Sequence, residues 1–163
     1  MQPNFINQVD GIIRGNGYTS TGTFTNNGSL LISENSVMSI TTDTFTNGPL
    51  GRIYFGIDEL NLTNSSLSVL GFANLGGTAT FTCLSTCLVD NDLQVITTLT
   101  GASLQFGSVN FLGFSAGRTY SLVVRNDNVY LHSEIAAVPE PHVVLLILVG
   151  LLMISFKMKR SIR

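Results

Sequence analysis

Apolar and polar residues alternate over short stretches along most of the chain, which is the pattern of β-strands. Each stretch is rich in β-branched and apolar residues and is bounded by Gly, Asn, Asp or Ser. The clearest predicted strands cover residues 30–32, 37–40, 52–55, 67–70 and 120–125. Because Ser, Thr and Asn compete for backbone hydrogen bonds, they disfavour helices. No helical periodicity occurs before residue 142, so the pattern predicts an all-β body.

Two short motifs recur along this body. Thr-Phe-Thr-Asn occurs at residues 23–26 and again 21 positions later, at residues 44–47. Met-Ser-Ile at residues 38–40 is similarly echoed by Leu-Ser-Val at residues 67–69, and Gly76-Gly77 places a tight turn before residues 79–81. Regular recurrence of short strands and turns is typical of repeat architectures.

A period of this length favours a parallel β-solenoid, in which each turn adds one strand to each sheet. Residues 10–134 would then form about six turns and a stack roughly 29 Å long, at ~4.8 Å per turn. In this arrangement Phe24 would lie over Phe45. An antiparallel β-sandwich is the alternative, because alternating short strands fit it as well.

A different pattern begins near residue 142. Residues 143–156 carry no charge, and eleven of these fourteen are Leu, Ile, Val or Phe. Nothing polar marks a solvent face, so the run predicts a membrane-inserted helix rather than an amphipathic surface helix. A buried core helix is the alternative for a run of this length. We therefore divide the chain into a body, residues 1–137, and a tail, residues 138–163.

Charge separates the same two parts. Charged residues make up 11% of the chain, against about 25% in an average soluble domain. Residues 1–141 hold all ten acidic residues but only four of the eight basic ones, and no lysine. Such an acidic body excludes a nucleic acid partner, which requires clustered cations. The other basic residues, Lys157, Lys159, Arg160 and Arg163, directly follow the apolar run and indicate its cytoplasmic side.

Pro139, Glu140 and Pro141 stand just before the apolar run. The two prolines favour an extended backbone on either side of the glutamate. The order of Pro-Glu-Pro, apolar run and basic end resembles the PEP-CTERM sorting signal of Gram-negative bacteria, over about 25 residues.

The resemblance implies several expectations. The sorting enzyme exosortase, a membrane-embedded cysteine-type enzyme, would recognise Pro139, Glu140 and Pro141. The protein would be a membrane-anchored precursor in the inner membrane, with its body exported to the periplasm, cell surface or extracellular matrix. Bearers of this signal are mostly surface or matrix proteins of biofilm- and exopolysaccharide-producing bacteria. Export would also need an N-terminal signal, which residues 1–11 do not resemble, so we expect a truncated or misassigned N-terminus.

The body also resembles the repeats of autotransporter passengers and filamentous haemagglutinin-like adhesins. The similar stretches are residues 22–30 and 71–78, which are rich in Gly, Thr and Asn. This resemblance implies a β-solenoid and names no ligand.

Cys83 and Cys87 are the two cysteines of the chain. In an exported protein neighbouring thiols tend to oxidise. Residues this far apart on a flat strand lie about 13 Å apart, whereas a disulfide needs Cα atoms within about 7 Å. A bond therefore requires residues 84–86 to turn, and two buried free thiols are the alternative.

The remaining chemistry points away from catalysis, cofactors and bound metal. His132 and His142 lack a nucleophile and an orienting carboxylate in sequence. The acidic groups Asp58-Glu59 and Asp90-Asn91-Asp92 resemble strand and turn positions, although calcium at the second group is an alternative. We thus expect a non-enzymatic surface or matrix protein that is structural or adhesive. The alternatives are a β-helix protein that binds or cleaves an extracellular polysaccharide, and an unprocessed tail-anchored membrane protein.

Overall fold

The computed structural model describes residues 4–19, 22–33, 35–58, 63–85, 87, 89 and 92–136, which form β-strands and no helix. The first nine strands are β1 (Phe5–Asn7), β2 (Ile12–Arg14), β3 (Gly17–Thr19), β4 (Thr23–Asn26), β5 (Ser29–Leu31), β6 (Val37–Thr41), β7 (Thr44–Asn47), β8 (Arg52–Asp58) and β9 (Thr63–Asn64). The others are β10 (Ser66–Val69), β11 (Phe72–Leu75), β12 (Thr78–Cys83), β13 (Leu93–Thr98), β14 (Ala102–Leu104), β15 (Ser108–Leu112), β16 (Arg118–Arg125) and β17 (Asn128–Ile135).

Three sheets surround one core. Sheet A has the order β1-β4-β7-β11-β14, sheet B the order β2-β5-β8-β12-β15, and sheet C the order β3-β6-β10-β13-β17-β16. Pairing is parallel throughout sheet A, along the main path of sheet B and in sheet C as far as β13. Each turn of chain adds one strand to every sheet, so the body is a parallel β-solenoid. The antiparallel sandwich is therefore wrong.

The repeated motifs stack in register, as the sequence predicts. Phe24 pairs with Phe45 along sheet A, and their ring centroids lie 5.7 Å apart. The second echo is also confirmed, because Met38 pairs with Leu67 and residues 39 and 40 pair with 68 and 69. Side chains alternate between the two faces of a strand, so the shared inward positions build columns of apolar residues through the core.

The prediction of six turns is wrong. Four turns contribute a strand to each sheet, and a fifth adds β14 and β15 before the chain forms the antiparallel hairpin β16–β17. The sheet-A stack of five strands is therefore about 19 Å long, at ~4.8 Å per strand spacing. The repeat lengthens after residue 47, where Phe45 pairs with Ala73 and Ala73 with Ala102. The longer connections after β8 and β12 lengthen each of these repeats. The same stretch of chain therefore forms fewer turns than predicted.

The hairpin closes sheet C at the C-terminal end. β17 pairs antiparallel with β13, and β16 pairs antiparallel with β17 as the outermost strand. Positive φ values at Asn126 and Asp127 form the tight turn between the two hairpin strands. The buried face of the hairpin includes Val129 and Leu131, which belong to the solenoid core.

Candidate functional site

Four ionisable side chains meet at the C-terminal end of sheet C. Asp92 directly precedes β13, Arg125 ends β16, and His132 and Glu134 lie on β17. Asp92 is separated from Arg125 by 33 residues and from His132 by 40. Because β17 lies between β13 and β16, antiparallel pairing brings these positions together. We call these four residues the Asp92 cluster.

The Asp92 carboxylate links two of its partners. Arg125 Nη1 donates to Asp92 Oδ2, and His132 Nδ1 lies 2.5 Å from Asp92 Oδ1. On the other side of the ring, His132 Nε2 lies 3.3 Å from Glu134 Oε1. Since each ring nitrogen faces a carboxylate oxygen, both hydrogen bonds form together only when the imidazole carries two protons. The Asp92 carboxylate therefore connects the start of β13 to Arg125 on β16 and to His132 on β17.

This geometry does not resemble a hydrolytic site. In a Ser-His-Asp triad the histidine nitrogen remote from Asp accepts the proton of the nucleophile. Here that nitrogen, Nε2 of His132, faces Glu134 instead. Ser121 is the register partner of His132 on β16, but both ring nitrogens of His132 already lie against carboxylate oxygens. The cluster is better suited to holding the hairpin or to offering hydrogen bonds to a ligand.

The sequence-derived calcium alternative gains no support at Asp92. The Asp92 carboxylate already binds Arg125 and His132, while Asp90 and Asn91 lie outside the described residues. In the described part of the chain no three His, Cys, Asp or Glu side chains gather so as to hold a metal ion. Of the other predicted acidic pair, Asp58 accepts a 2.7 Å hydrogen bond from Ser85, and Glu59 lies outside the described residues.

A disulfide joins Cys83 and Cys87 in the structure, with Cα atoms 5.9 Å apart. Cys83 ends β12, and the chain bends at Leu84 and Ser85 before reaching the buried Cys87. The bend brings the two cysteines within bonding distance, as the spacing argument requires. The bond closes the start of the long connection between β12 and β13.

A ladder of buried asparagines follows one corner of the solenoid. Asn7 Nδ2 donates to Asn26 Oδ1 at 2.7 Å, and Asn26 Nδ2 donates to Asn47 Oδ1 at 2.6 Å. The last amide, Asn47 Nδ2, donates to the backbone carbonyl of Gly76 at 2.5 Å. Buried amides need such partners to offset their lost hydration. The ladder is a structural element that fixes the turns in register.

Glycine is required beside this ladder. At Gly77, a Cβ atom would lie 2.2 Å from the carbonyl oxygen of Gly51, and the φ angle is +65°. A side chain there would collide with the preceding turn and strain the backbone. The tight turn predicted at Gly76-Gly77 before β12 therefore needs glycine because successive turns of the solenoid come into close contact there.

Sequence reasoning missed both the Asp92 cluster and the ladder. The ladder had a visible signal, because each repeated Thr-Phe-Thr motif ends in Asn at residues 26 and 47. The cluster had none. His132 resembled an ordinary surface residue, and its partner Asp92 lies 40 positions away in sequence.

The predicted tail residues lie outside the described part of the chain. These are Pro139, Glu140 and Pro141 of the motif, the apolar run 143–156, and the basic residues Lys157, Lys159, Arg160 and Arg163. Within residues 4–136, as far as they are described, there is no helix with the length and apolar character to cross a membrane.

Comparison with known proteins adds no family to this geometry. No protein-family model matches the chain, and no curated protein matches it.

Proposed function

We propose that the chain is an exported bacterial surface or extracellular-matrix protein that exosortase sorts through residues 138–163. Its β-solenoid body would have a structural or adhesive role in a biofilm or exopolysaccharide setting. One observation carries the proposal: Pro139-Glu140-Pro141, the apolar run and the basic end occur in that order. The solenoid is compatible with it, since a rigid stack of β turns is a common framework for extended surfaces.

Membrane insertion follows from the composition of the tail. Eleven Leu, Ile, Val or Phe residues in 143–156 contribute about −3 to −6 kcal/mol at −0.3 to −0.6 per residue. As a helix the run is about 21 Å long, against a hydrocarbon core of about 30 Å. The span is therefore short and needs snorkelling basic residues or local bilayer thinning. A marginal anchor is suited to a segment that is inserted, recognised and removed.

The sorting motif would lie at the outer surface of this membrane. Positive residues favour the cytoplasmic side, which assigns residues 157–163 to the cytoplasm and Pro139-Glu140-Pro141 to the periplasm. The prolines prevent a helix from running back through Glu140. Exosortase would thus meet an extended backbone with an exposed carboxylate, at the point where the body joins the anchor.

The test is the triple substitution Pro139→Ala, Glu140→Ala and Pro141→Ala, in a strain that carries exosortase. Insertion should persist, because the apolar run is intact, while sorting fails and the uncleaved form accumulates in the membrane fraction. Val138→Ala is the matched control and should be sorted like the wild type. If the triple variant is processed normally, the tail is only an anchor, and the unprocessed tail-anchored protein becomes the better description.

The Asp92 cluster favours a second candidate function, binding of extracellular polysaccharide. The cluster brings two carboxylates, one imidazole and one guanidinium together on one surface, so these groups are not scattered along the turns. Such groups donate and accept the hydrogen bonds that sugar hydroxyls need. Cleavage is disfavoured, because His132 Nε2 faces Glu134.

This candidate is tested by co-sedimentation of the exported protein with the host's own exopolysaccharide. Glu134→Gln removes the most exposed charge of the cluster without disturbing the Asp92 contacts, and binding should fall. Asp43→Asn, on an exposed turn of the solenoid side, serves as the control and should bind like the wild type. Equal binding by both variants would exclude the cluster as a glycan site.

A further inference from the structure

The apolar columns of the core come to the surface in the last turn of the described solenoid. One turn earlier, Leu75, Ala79 and Phe81 are buried. Their register partners in the last turn are only half-buried, and these are Leu104 on β14 and Val109 and Phe111 on β15. Among the described strands, none of sheet A or sheet B follows them. The described core is therefore open at this end.

Strand β16 extends past the open end. It is the sixth strand of sheet C, whereas sheet A and the main path of sheet B have five. Leu122 and Val124 of β16 pair with Leu131 and Val129, which are buried in the core, so all four side chains are on the inner face of sheet C. Val124 is nevertheless 41% exposed, and Ile135, on the same face of β17, is 75% exposed. The inner face of β16 thus overhangs the last turn.

An open cleft of about 430 Å³ lies between this overhang and the end of the core. The Tyr120 hydroxyl lies 3.3 Å from the carbonyl oxygens of Cys87 and Ser115, which engage it within the protein. Ser121 is the one other lining residue with a polar side chain. A sugar would find few hydrogen-bonding groups here, so the cleft is better suited to hydrocarbon. The remaining lining residues are Leu104, Phe106, Val109, Phe111 and Leu122.

Charge is depleted around the cleft. Residues 93–117, which contain β13, β14 and β15, include no charged residue, although the body as a whole is acidic. Strand β16 begins at Arg118, ends at Arg125 and contains no acidic residue. Of the two acidic residues in the hairpin, Asp127 lies in the turn, and Glu134 is on the outer face of sheet C because it alternates with the buried residues of β17. The strands around the cleft thus carry little of the negative charge that an anionic bilayer would repel.

The proposed membrane anchor begins close to this cleft. The backbone N–H of Ala136 donates to the carbonyl oxygen of Gly117 at 2.9 Å, which holds Ala136 beside the start of β16. Six residues, 137–142, separate Ala136 from the apolar run 143–156. At ~3.6 Å per residue, even a fully extended connection reaches only about 25 Å. An inserted run would therefore hold the cleft near the bilayer surface, where a short tether favours even a weak second contact.

We infer that, given the membrane insertion proposed above, the C-terminal end of the solenoid rests on the bilayer that holds the tail, with lipid acyl chains in the cleft. We call Phe106, Leu122, Val124 and Ile135 the bilayer-facing surface. Exposed apolar patches are common at sites of protein or membrane contact, and aromatic side chains are favoured at the membrane interface. The contact would stand the solenoid upright on the membrane and keep Pro139-Glu140-Pro141 beside the lipid headgroups.

The chain contains no tryptophan, so a single introduced tryptophan reports on its own surroundings. The test places the full-length Phe106→Trp variant in vesicles of phosphatidylcholine and phosphatidylglycerol, with and without bromine on the acyl chains, because bromine quenches tryptophan fluorescence on contact. Flotation of the vesicles measures membrane insertion independently. The protein should float, and its emission should fall by roughly half in brominated vesicles, since interfacial side chains reach the acyl boundary. The matched control Phe5→Trp alters an exposed phenylalanine of the first turn and should keep its emission.

A second pair of variants tests the bilayer-facing surface itself. Val124→Asp/Ile135→Asp, added to Phe106→Trp, should restore most of the emission while flotation persists, because a carboxylate opposes contact with lipid. Both positions are exposed, so the circular dichroism spectrum should be unchanged. The control Leu50→Asp/Leu70→Asp adds the same charges at exposed leucines of earlier turns and should leave the quenching as it was.

Three outcomes would overturn the inference. Phe106→Trp could keep its emission in vesicles that float with the protein, which would refute the contact and leave the anchor intact. Equal quenching of Phe5→Trp would show that the body does not rest on its C-terminal end. Failure to float would refute membrane insertion, and the bilayer contact with it, so the two proposals fail in distinguishable ways.

Discussion

Phe24 lies directly over Phe45 on adjacent turns, with both rings buried and their centroids 5.7 Å apart. A second aromatic stack runs through sheet B, where Phe81 lies between Phe55 and Phe111 at centroid distances of 4.8 and 5.6 Å. In a solenoid each turn contacts only its neighbours. These stacks therefore carry much of the packing that couples one turn to the next.

Phe45→Ala should destabilise the body strongly. The side chain is fully buried, and its removal leaves a cavity between Phe24 and Ala73, so the free energy of unfolding should fall by about 3–5 kcal/mol. Urea unfolding followed by circular dichroism measures the change. Thr46→Ala, the next residue on the outward side, is the control and should change the value by less than about 0.5 kcal/mol. Equal effects of the two substitutions would contradict the stack.

The asparagine ladder makes a separate prediction. Asn26→Ala removes the acceptor of Asn7 and the donor to Asn47, which leaves buried amide groups without partners. The free energy of unfolding should fall by about 2–3 kcal/mol. Asn74→Ala, an outward asparagine on sheet A, should cost less than about 0.5 kcal/mol. A smaller loss for Asn26 than for Asn74 would show that the ladder does not hold the turns.

The inward-facing columns could be predicted from the sequence, because similar short motifs occupy equivalent positions in successive turns. Thr-Phe-Thr-Asn and the Met-Ser-Ile echo led to the correct register for Phe24 with Phe45 and for Met38 with Leu67. The number of turns was not accessible, since the connections after β8 and β12 lengthen the repeat without a compositional mark. The hairpin was hidden for a related reason: its strands resemble every other strand in pattern, and only their direction differs.

The candidate site was less predictable than the fold. The Asp92 cluster depends on β17 inserting between β13 and β16, and strand order is a tertiary property that local pattern does not encode. The disulfide, by contrast, depends on local geometry. Cys83 and Cys87 are four positions apart, so the chain between them must bend for the two sulfur atoms to bond.

Alkylation should show that disulfide in protein recovered from outside the cell. In denaturant without reductant, neither Cys83 nor Cys87 should be labelled, and both should react after reduction. Reduction should lower the free energy of unfolding by about 2 kcal/mol, because the closed loop is short. The Cys83→Ser/Cys87→Ser variant supplies the unlabelled baseline. Labelling of both cysteines before reduction would refute the bond.

The basic end of the tail makes a prediction that concerns retention in the membrane. The apolar run 143–156 is short for the bilayer, so its insertion energy alone leaves a modest margin. The basic residues after it should stop transfer and hold the tail on the cytoplasmic side. Exchange of Lys157, Lys159, Arg160 and Arg163 for Gln removes this barrier without altering the run.

The variant is best expressed behind a secretory signal peptide in a strain that lacks exosortase, so that cleavage does not obscure anchoring. We expect part of the full-length protein to move from the membrane fraction to the soluble periplasm, because the uncharged end can now be translocated. The charge-preserving variant Lys157→Arg/Lys159→Arg is the control and should remain in the membrane. Immunoblotting of the two fractions measures the ratio. If the Gln variant stayed in the membrane as fully as the control, the apolar run alone would anchor the chain. The basic residues would then have no part in its topology.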